Sequence, residues 1–207
     1  MNFPAQFFIT GTDTGVGKTV VSAILLAGLS YKYWKPVQCG LLEATDTEVI
    51  KNITGLHDGH FLPEKYRLPV SASPHISAAA ANVTIDMESL RLPAGTGDLL
   101  VEGAGGLLVP LNARFMMIDL LKLLGLPVLL VARSGLGTIN HTLLSLAALR
   151  DRDVEVLGVV LNGAKAKHQQ NRRAIEYYGK VQVIAELEPL TWLTPVSIMT
   201  AFKELFL

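Results

Sequence analysis

One cysteine, Cys39, in 207 residues leaves no intrachain disulfide framework and no multi-cysteine metal knuckle, which points to a reducing, cytoplasmic setting. Charge is also scarce. Only 17 % of residues are Asp, Glu, Lys or Arg, and 18 basic side chains balance 18 acidic ones. That balance removes the basic face a dedicated nucleic-acid binder needs, so no nucleic-acid partner is expected and a charged ligand must be met locally. The longest apolar stretches, such as 123–131, stop well short of the ~20 residues that span a bilayer. Residues 1–6 have no basic segment, so neither a membrane partner nor a signal peptide is expected. No internal repeat, low-complexity tract or Pro/Ser-rich linker interrupts the chain. What is abundant is apolar material, 50 % of residues, which excludes disorder and suits one well-covered core. A single domain over 1–207 is expected.

Short runs rich in Val, Ile, Leu and Phe alternate with longer stretches of helical spacing. Residues 7–10, 33–38, 98–102, 127–132, 154–161 and 181–185 read as strands, and 18–29, 116–124, 139–150, 166–178 and 197–206 as helices. Several runs are continuously apolar, as parallel strands covered on both faces are. The fold class is therefore α/β, a doubly wound, mainly parallel sheet with helices on both faces. Segment 52–72, with Pro63, Pro69 and no period, is expected to form an ordered excursion over the sheet edge. Ligands of such sheets sit outside the carboxyl ends of the strands, which directs attention to 11–19, 35–40, 102–106, 133–140 and 162–163.

The first of these, Thr10-Gly-Thr-Asp-Thr-Gly-Val-Gly-Lys-Thr19, follows a strand and opens a helix. Glycines let backbone N–H groups approach phosphate oxygens, Lys18 supplies a point charge, and the Thr19 hydroxyl can hold Mg²⁺. The pattern departs from the usual loop in one place, with Thr12 where the first glycine is normal. A nucleoside triphosphate fits better than a dinucleotide, because Gly15-Val16-Gly17 runs into Lys-Thr rather than G-x-G-x-x-G. The sheet is therefore expected to be of the phosphate-loop NTPase type. Glu102, at the end of an apolar strand and followed by Gly103 and Gly105, and Asp46, after the second strand, are the candidate metal carboxylates.

The motifs at 10–19, Lys35-Pro-Val, Ser73-Pro-His, Val101-Glu-Gly-Ala-Gly-Gly and Gly135-Leu-Gly-Thr-Ile-Asn-His resemble, in order and over nearly the whole chain, the dethiobiotin synthases. The resemblance implies a homodimeric ligase of biotin synthesis, dependent on Mg²⁺ and ATP. Such an enzyme takes 7,8-diaminononanoate and CO₂ to dethiobiotin through a carbamate and its phosphoric anhydride. Carried over by position, Lys35, Lys18 and Thr14 become catalytic, with Lys35 holding carbamate and γ-phosphate together. Gly15, Val16, Gly17, Lys18, Thr19 and Val20 wrap the phosphates. Thr19, Asp46 and Glu102 surround the metal, and Glu102, Gly103, Ala104 and Gly105 border the reacting centre. Asn162 and Gly163 read adenine, with Glu188, Pro189 and Leu190 near its pocket. Thr14, Lys35, Cys39 and Pro74 touch the substrate, Cys39 standing where relatives often place a serine. Gly137, Thr138, Ile139 and Asn140 open a helix whose N–H groups suit a carboxylate, and in the family this loop reaches the partner's site, making each active site composite. His141 is expected to pack or cap, and His75 has no proton to transfer.

Two other classes share parts of this pattern. Partitioning or positioning switch ATPases share sheet and loop, but carry an extra lysine where Asp13-Thr14 stands here. Amide ligases of the cobyric acid type continue into a second domain that 207 residues do not hold. The basic stretch 165–173, with Lys167, Arg172 and Arg173, reads as a solvated helix face, and the C-terminal helix as docked rather than membrane-bound.

Overall fold

In the computed structural model, residues 2–163 and 168–207 are described. The strands are β1 (Gln6–Gly11), β2 (Lys32–Trp34), β3 (Val37–Cys39), β4 (Tyr66–Leu68), β5 (Leu99–Gly106), β6 (Val128–Arg133), β7 (Val156–Asn162) and β8 (Val183–Leu187). The helices are α1 (Lys18–Leu29), α2 (Asp46–Thr54), α3 (Pro74–Ala80), α4 (Met117–Leu124), α5 (Thr138–Asp151), α6 (His168–Gly179) and α7 (Pro195–Phe206). Six strands form one sheet in the order β2-β5-β1-β6-β7-β8, and every neighbouring pair is parallel. On one side of β1 the chain places β2 at the edge and then β5 between them, and on the other side it adds β6, β7 and β8 in turn, so the switch point lies at the carboxyl end of β1.

Strand residues alternate between the two faces, as the two-residue pleat requires. Phe7, Ile9, Leu100, Leu129, Val131 and Val160 pack with Val21, Ile24 and Leu25 of α1, Ile50 of α2 and Ile198 and Phe202 of α7. Phe8, Leu99 and Val101 point the other way, onto Met117, Leu120 and Leu121 of α4. Leu130, Ala132, Val159 and Leu161 meet Leu146 of α5 and Ile175 of α6. Each fully buried side chain of this size contributes about 1.5–3 kcal/mol. The doubly wound sheet expected from the sequence is the one observed.

Three local features differ from the sequence reading. The run 33–38 is two strands, because Pro36 has no N–H for the sheet; its carbonyl instead accepts from Lys65 and Tyr66 at 3.0 Å, and β3 leaves to pair with β4 in a separate two-stranded sheet. Asp46 is the first residue of a helix rather than a loop residue. Thr45 and Glu48 form a capping box, with the Glu48 carboxylate accepting from Thr45 N at 2.8 Å and Thr45 Oγ1 from Glu48 N at 3.3 Å. The excursion 52–72 thus begins inside α2 and includes β4, and α3 follows it with Pro74 in its first turn. Helix α6 is described from His168; Ala166, its expected start, lies outside the described residues, as do Met1, Lys165 and Lys167. No helix among the described residues is long and apolar enough to cross a membrane.

Candidate active site

The carboxyl ends of β1, β2 and β5 meet around a cavity of about 640 Å³. From β1 the chain turns through the glycine-rich loop into α1, whose N-terminal N–H groups face the cavity. Gly17 caps that helix at φ +94°, a conformation that favours glycine. Lys18, only 7 % exposed, folds back to donate to the Asp13 carbonyl at 3.0 Å. Thr14 N donates to Asp13 Oδ1 at 2.7 Å, and the Asp13 carboxylate is paired with Arg133 at the end of β6. Thr14, Gly15, Gly17, Lys18, Thr19 and Val20 all line the cavity.

Lys35 enters directly after β2. Pro36 turns the chain away, and Lys35, 3 % exposed, points its ammonium between two carboxylates. It lies 2.5 Å from Asp46 Oδ2 and 3.2 Å from Glu102 Oε1, with the Gly103 carbonyl at 3.5 Å. Thr19 Oγ1 donates to Asp46 Oδ1 at 2.6 Å and stands 3.4 Å from Glu102 Oε1. Thr19, Asp46 and Glu102, 83 residues apart at the extremes, are thereby one cluster.

Electrostatics separates the two lysines. Burial lowers Lys18 below the usual lysine value, and the attraction of Glu102 does not restore it. Burial acts on Lys35 in the same direction, but Glu102 and Asp46 outweigh it and leave its ammonium more firmly protonated than usual. For Asp46, burial would raise the carboxyl, and the charge and hydrogen bond of Lys35 with the hydroxyl of Thr19 overcome it, so the carboxyl falls below its ordinary value. Lys35 and Asp46 are both charged at neutral pH.

The far wall carries Cys39 from β3, Ser71, Ala72, Ser73, Pro74 at the start of α3, and Val109; Ala104 and Gly105 close the floor. Burial pushes the Cys39 thiol up to about 11. Other expected residues stand outside this wall. Val16 is buried, and its carbonyl accepts from Asn162 Nδ2 at 2.9 Å, which places Asn162 beside the phosphate loop. Gly163 N donates to the Leu187 carbonyl at 2.9 Å, so Glu188, Pro189 and Leu190 leave β8 next to the end of β7. Gly137, Thr138, Ile139 and Asn140 form the start of α5, away from the cavity, with Gly137 as its cap. Nearby, Leu108, Leu144, His141 and Ser145 line a second groove of about 290 Å³ that also touches Thr12 and Asp13.

Sequence reasoning missed two buried polar residues. Gln38 lines the cavity; its Nε2 donates to the Cys39 carbonyl at 2.9 Å and its Oε1 accepts from Asp46 N at 3.3 Å. Ser22 Oγ donates to Glu102 Oε2 at 2.5 Å. Only its position three residues after Thr19 on one helix signals it.

A phosphate loop whose helix meets two carboxylates and a second buried lysine, at the switch point of a parallel sheet, defines a nucleoside-triphosphate-using protein of the phosphate-loop class. A family described as an AAA domain matches residues 5–197. The ATP-dependent dethiobiotin synthetase BioD of Agrobacterium fabrum is 48 % identical over 201 residues, covering 97 % of this chain and 94 % of that protein. The synthetase of the same name from Bradyrhizobium diazoefficiens is 48 % identical over 202 residues, covering 97 % and 95 %. The chain belongs to the ATP-dependent dethiobiotin synthetase family, and is an ATP-dependent ligase. A ParA family ATPase from Chlorobium tepidum superposes with a TM-score of 0.58 at 11 % identity, over 97 % of this chain and 89 % of that one. That likeness is one of fold alone.

Proposed function

We propose that this chain makes dethiobiotin from 7,8-diaminononanoate, CO₂ and ATP, closing the ureido ring in the cavity between the phosphate loop and the wall formed by Cys39 and Pro74. The observation that carries the reading is the placement of two buried lysines, Lys18 and Lys35, at one end of that cavity. The reaction gathers negative charge where a carbamate meets the γ-phosphate, and preorganised cations in a water-poor site stabilise such charge most. One substrate amine takes up CO₂ as a carbamate, and its oxygen takes the γ-phosphoryl group from ATP. The second amine then attacks the activated carbonyl carbon, a C–N bond forms, and inorganic phosphate leaves with the C–O bond. Lys35 orients the carbamate against the γ-phosphate; Lys18 and the N–H groups at the start of α1 hold the phosphates; Thr14 orients the carbamate. Asn162 and Gly163, with Glu188, Pro189 and Leu190, border the adenine.

Thr19, Asp46 and Glu102 fit Mg²⁺. They are hard oxygen donors, two of them carboxylates, gathered within hydrogen-bond reach of Thr19 Oγ1, and Mg²⁺ is held by one or two carboxylates together with substrate phosphates. When bound, the ion neutralises phosphate charge during transfer. The protein works as a cytoplasmic homodimer. Leu108 and Leu144, each 62 % exposed, flank the second groove, and an apolar surface of this kind beside the start of α5 suits a second copy of the chain. The start of α5 at Thr138, Ile139 and Asn140 then reaches the substrate carboxylate in the partner's cavity, with the N–H groups of Ile139 and Asn140 as donors, since that of Thr138 donates to the Gly135 carbonyl at 3.2 Å.

The test is ADP release from purified protein with Mg²⁺-ATP and bicarbonate, with and without 7,8-diaminononanoate, while dethiobiotin is followed by mass. Diamine-dependent hydrolysis that matches dethiobiotin formed is the expected result. Turnover indifferent to the diamine but stimulated by DNA or lipid would move the chain to the switch ATPases that share its fold.

A further inference from the structure

We infer that Ser22 is a positioning residue that makes Glu102 a one-oxygen ligand and so sets the cation site's preference for magnesium over calcium. The inference rests on the assignment of Glu102 to the cation made above. Ser22 is fully buried and Glu102 is 1 % exposed, and the bond between them, Ser22 Oγ to Glu102 Oε2 at 2.5 Å, joins α1 to β5 across 80 residues of chain. The other oxygen, Oε1, meets the groups of the reacting centre, Lys35 Nζ at 3.2 Å and Thr19 Oγ1 at 3.4 Å. Ser22 stands behind Glu102, outside the residues that line the cavity, so its hydroxyl touches neither substrate nor nucleotide. The carboxylate is divided between a structural oxygen and a working one.

A hydrogen bond to a buried carboxylate is short and strong, and losing its donor leaves the oxygen desolvated and unpaired. The Ser22 bond therefore fixes the rotation of the Glu102 carboxylate and keeps Oε2 turned toward α1. The consequence follows from what the two cations accept. Mg²⁺ requires a tight octahedron and takes carboxylates through single oxygens, whereas Ca²⁺ takes more ligands, at longer distances, and accepts carboxylates through both oxygens. A glutamate that can present one oxygen favours the first ion. Without the Ser22 hydroxyl, Oε2 loses the donor that turns it toward α1, and its turning would give the site the second oxygen that Ca²⁺ uses.

The experiment measures Mn²⁺ bound to the full-length protein with a non-hydrolysable ATP analogue, by electron paramagnetic resonance, and its displacement by Mg²⁺ and by Ca²⁺. Partners of metal-ligating side chains typically change affinity 10–100-fold when removed, so Ser22→Ala is expected to shift the Mg²⁺-to-Ca²⁺ preference toward Ca²⁺ by about tenfold. Ser22→Cys, which keeps the volume and weakens the donor, shifts it in the same direction and serves where the alanine variant folds poorly. An unchanged preference in these variants overturns the inference, and so does a lower melting temperature with the preference unmoved, because that is a packing role alone. Glu102→Gln separates the two readings. If it binds Mn²⁺-nucleotide as the unsubstituted protein does, the assignment of Glu102 fails; if it loses the ion while the Ser22 variants keep their preference, only the inference fails.

Discussion

Lys35 Nζ lies 2.5 Å from Asp46 Oδ2, and the same ammonium reaches Glu102 Oε1 at 3.2 Å. A lysine 3 % exposed is thus compensated on two sides before any substrate charge arrives. In the proposed role on a carbamate it would exchange one anion for another, which needs little reorganisation and keeps the charge desolvated. The arrangement also ties catalysis to stability.

Replacing Lys35 by methionine tests both. Turnover is expected to vanish, since the ammonium acts on charge that develops in the reaction. The fold is expected to persist but to weaken by about 3–5 kcal/mol, the usual cost of stripping one partner from a buried ion pair. Circular dichroism and a urea titration measure the second effect, and product mass the first. Product formation at the unsubstituted rate would remove Lys35 from the reaction.

The Asp46 carboxyl gives the acid limb of the stability curve a definite sign. Its folded value lies below the ordinary one, with Lys35 the main opponent of burial. Its contribution is therefore complete above about pH 4, the unfolded carboxyl value, and is lost as pH falls through the lower folded value. Lys35, shifted up, contributes fully below about pH 10 and loses its share only as pH rises through its raised folded value. Asp46→Asn is expected to be less stable than the unsubstituted protein at pH 7, and the gap is expected to close below pH 4. A constant gap in thermal midpoints from pH 7 to 3 would contradict this.

Cys39 is held protonated by burial, its thiol pushed up to about 11 from an ordinary 9.0. The thiolate is the reactive species, so a shift of this size slows alkylation near pH 8 by about a hundredfold relative to an unperturbed thiol. Iodoacetamide labelling followed by mass spectrometry checks it. Labelling as fast as that of a free thiol would mean that the strand carrying Cys39 opens, or that the thiol faces solvent.

How far the sequence disclosed this site depends on whether each partner is local. The phosphate loop was legible because Gly17-Lys18-Thr19 follows an apolar strand, and all its signals lie within ten residues. Glu102 is legible because it ends an apolar run that leads into glycines, although β5 does not stop there as the glycines suggest but continues through them to Gly106. Helix α2 is overlooked, although Thr45 and Glu48 spell its capping box, because only Val49, Ile50 and Ile53 of its nine residues are apolar and the run is short. The division of 33–38 hinged on Pro36, which reads equally as a rigid corner or as the end of a strand. Ser22 and Gln38 are hard to read, because each is polar and buried: Ser22 is paired with Glu102, 80 residues away, and Gln38 lies inside a candidate loop segment with nothing local to single it out.

The phosphate loop makes a further point about close approach. Gly17 sits at φ +94°, and a methyl group there would lie 1.9 Å from Asn162 Nδ2, the atom that donates to the Val16 carbonyl. Gly17→Ala is strained in its backbone and also displaces Asn162, so calorimetric ATP affinity is expected to fall more than tenfold, on the scale of about 1.4 kcal/mol per decade. Asn162→Ala removes the clash but not the backbone strain. In the double variant the losses should fall short of additive, as they do for residues in contact. Strict additivity would mean that Asn162 and the loop do not press on each other.

The last test concerns the second groove. Leu144 on α5 and Leu108 beyond β5 are each 62 % exposed, yet they border Thr12 and Asp13 of the phosphate loop. If a second copy of the chain covers this groove, a buried leucine there supports the dimer, and a charge at its place would be desolvated without a partner. Leu144→Arg is expected to elute as a monomer in size-exclusion chromatography with light scattering, to bind ATP as before, and to lose turnover. The pairing of these outcomes matters. Retained ATP binding shows that the loop still folds in one chain, and lost turnover shows that the start of α5 serves the other chain's cavity. A monomer with full turnover would leave each active site complete within one chain, and a dimer with full turnover would move the contact elsewhere on the surface.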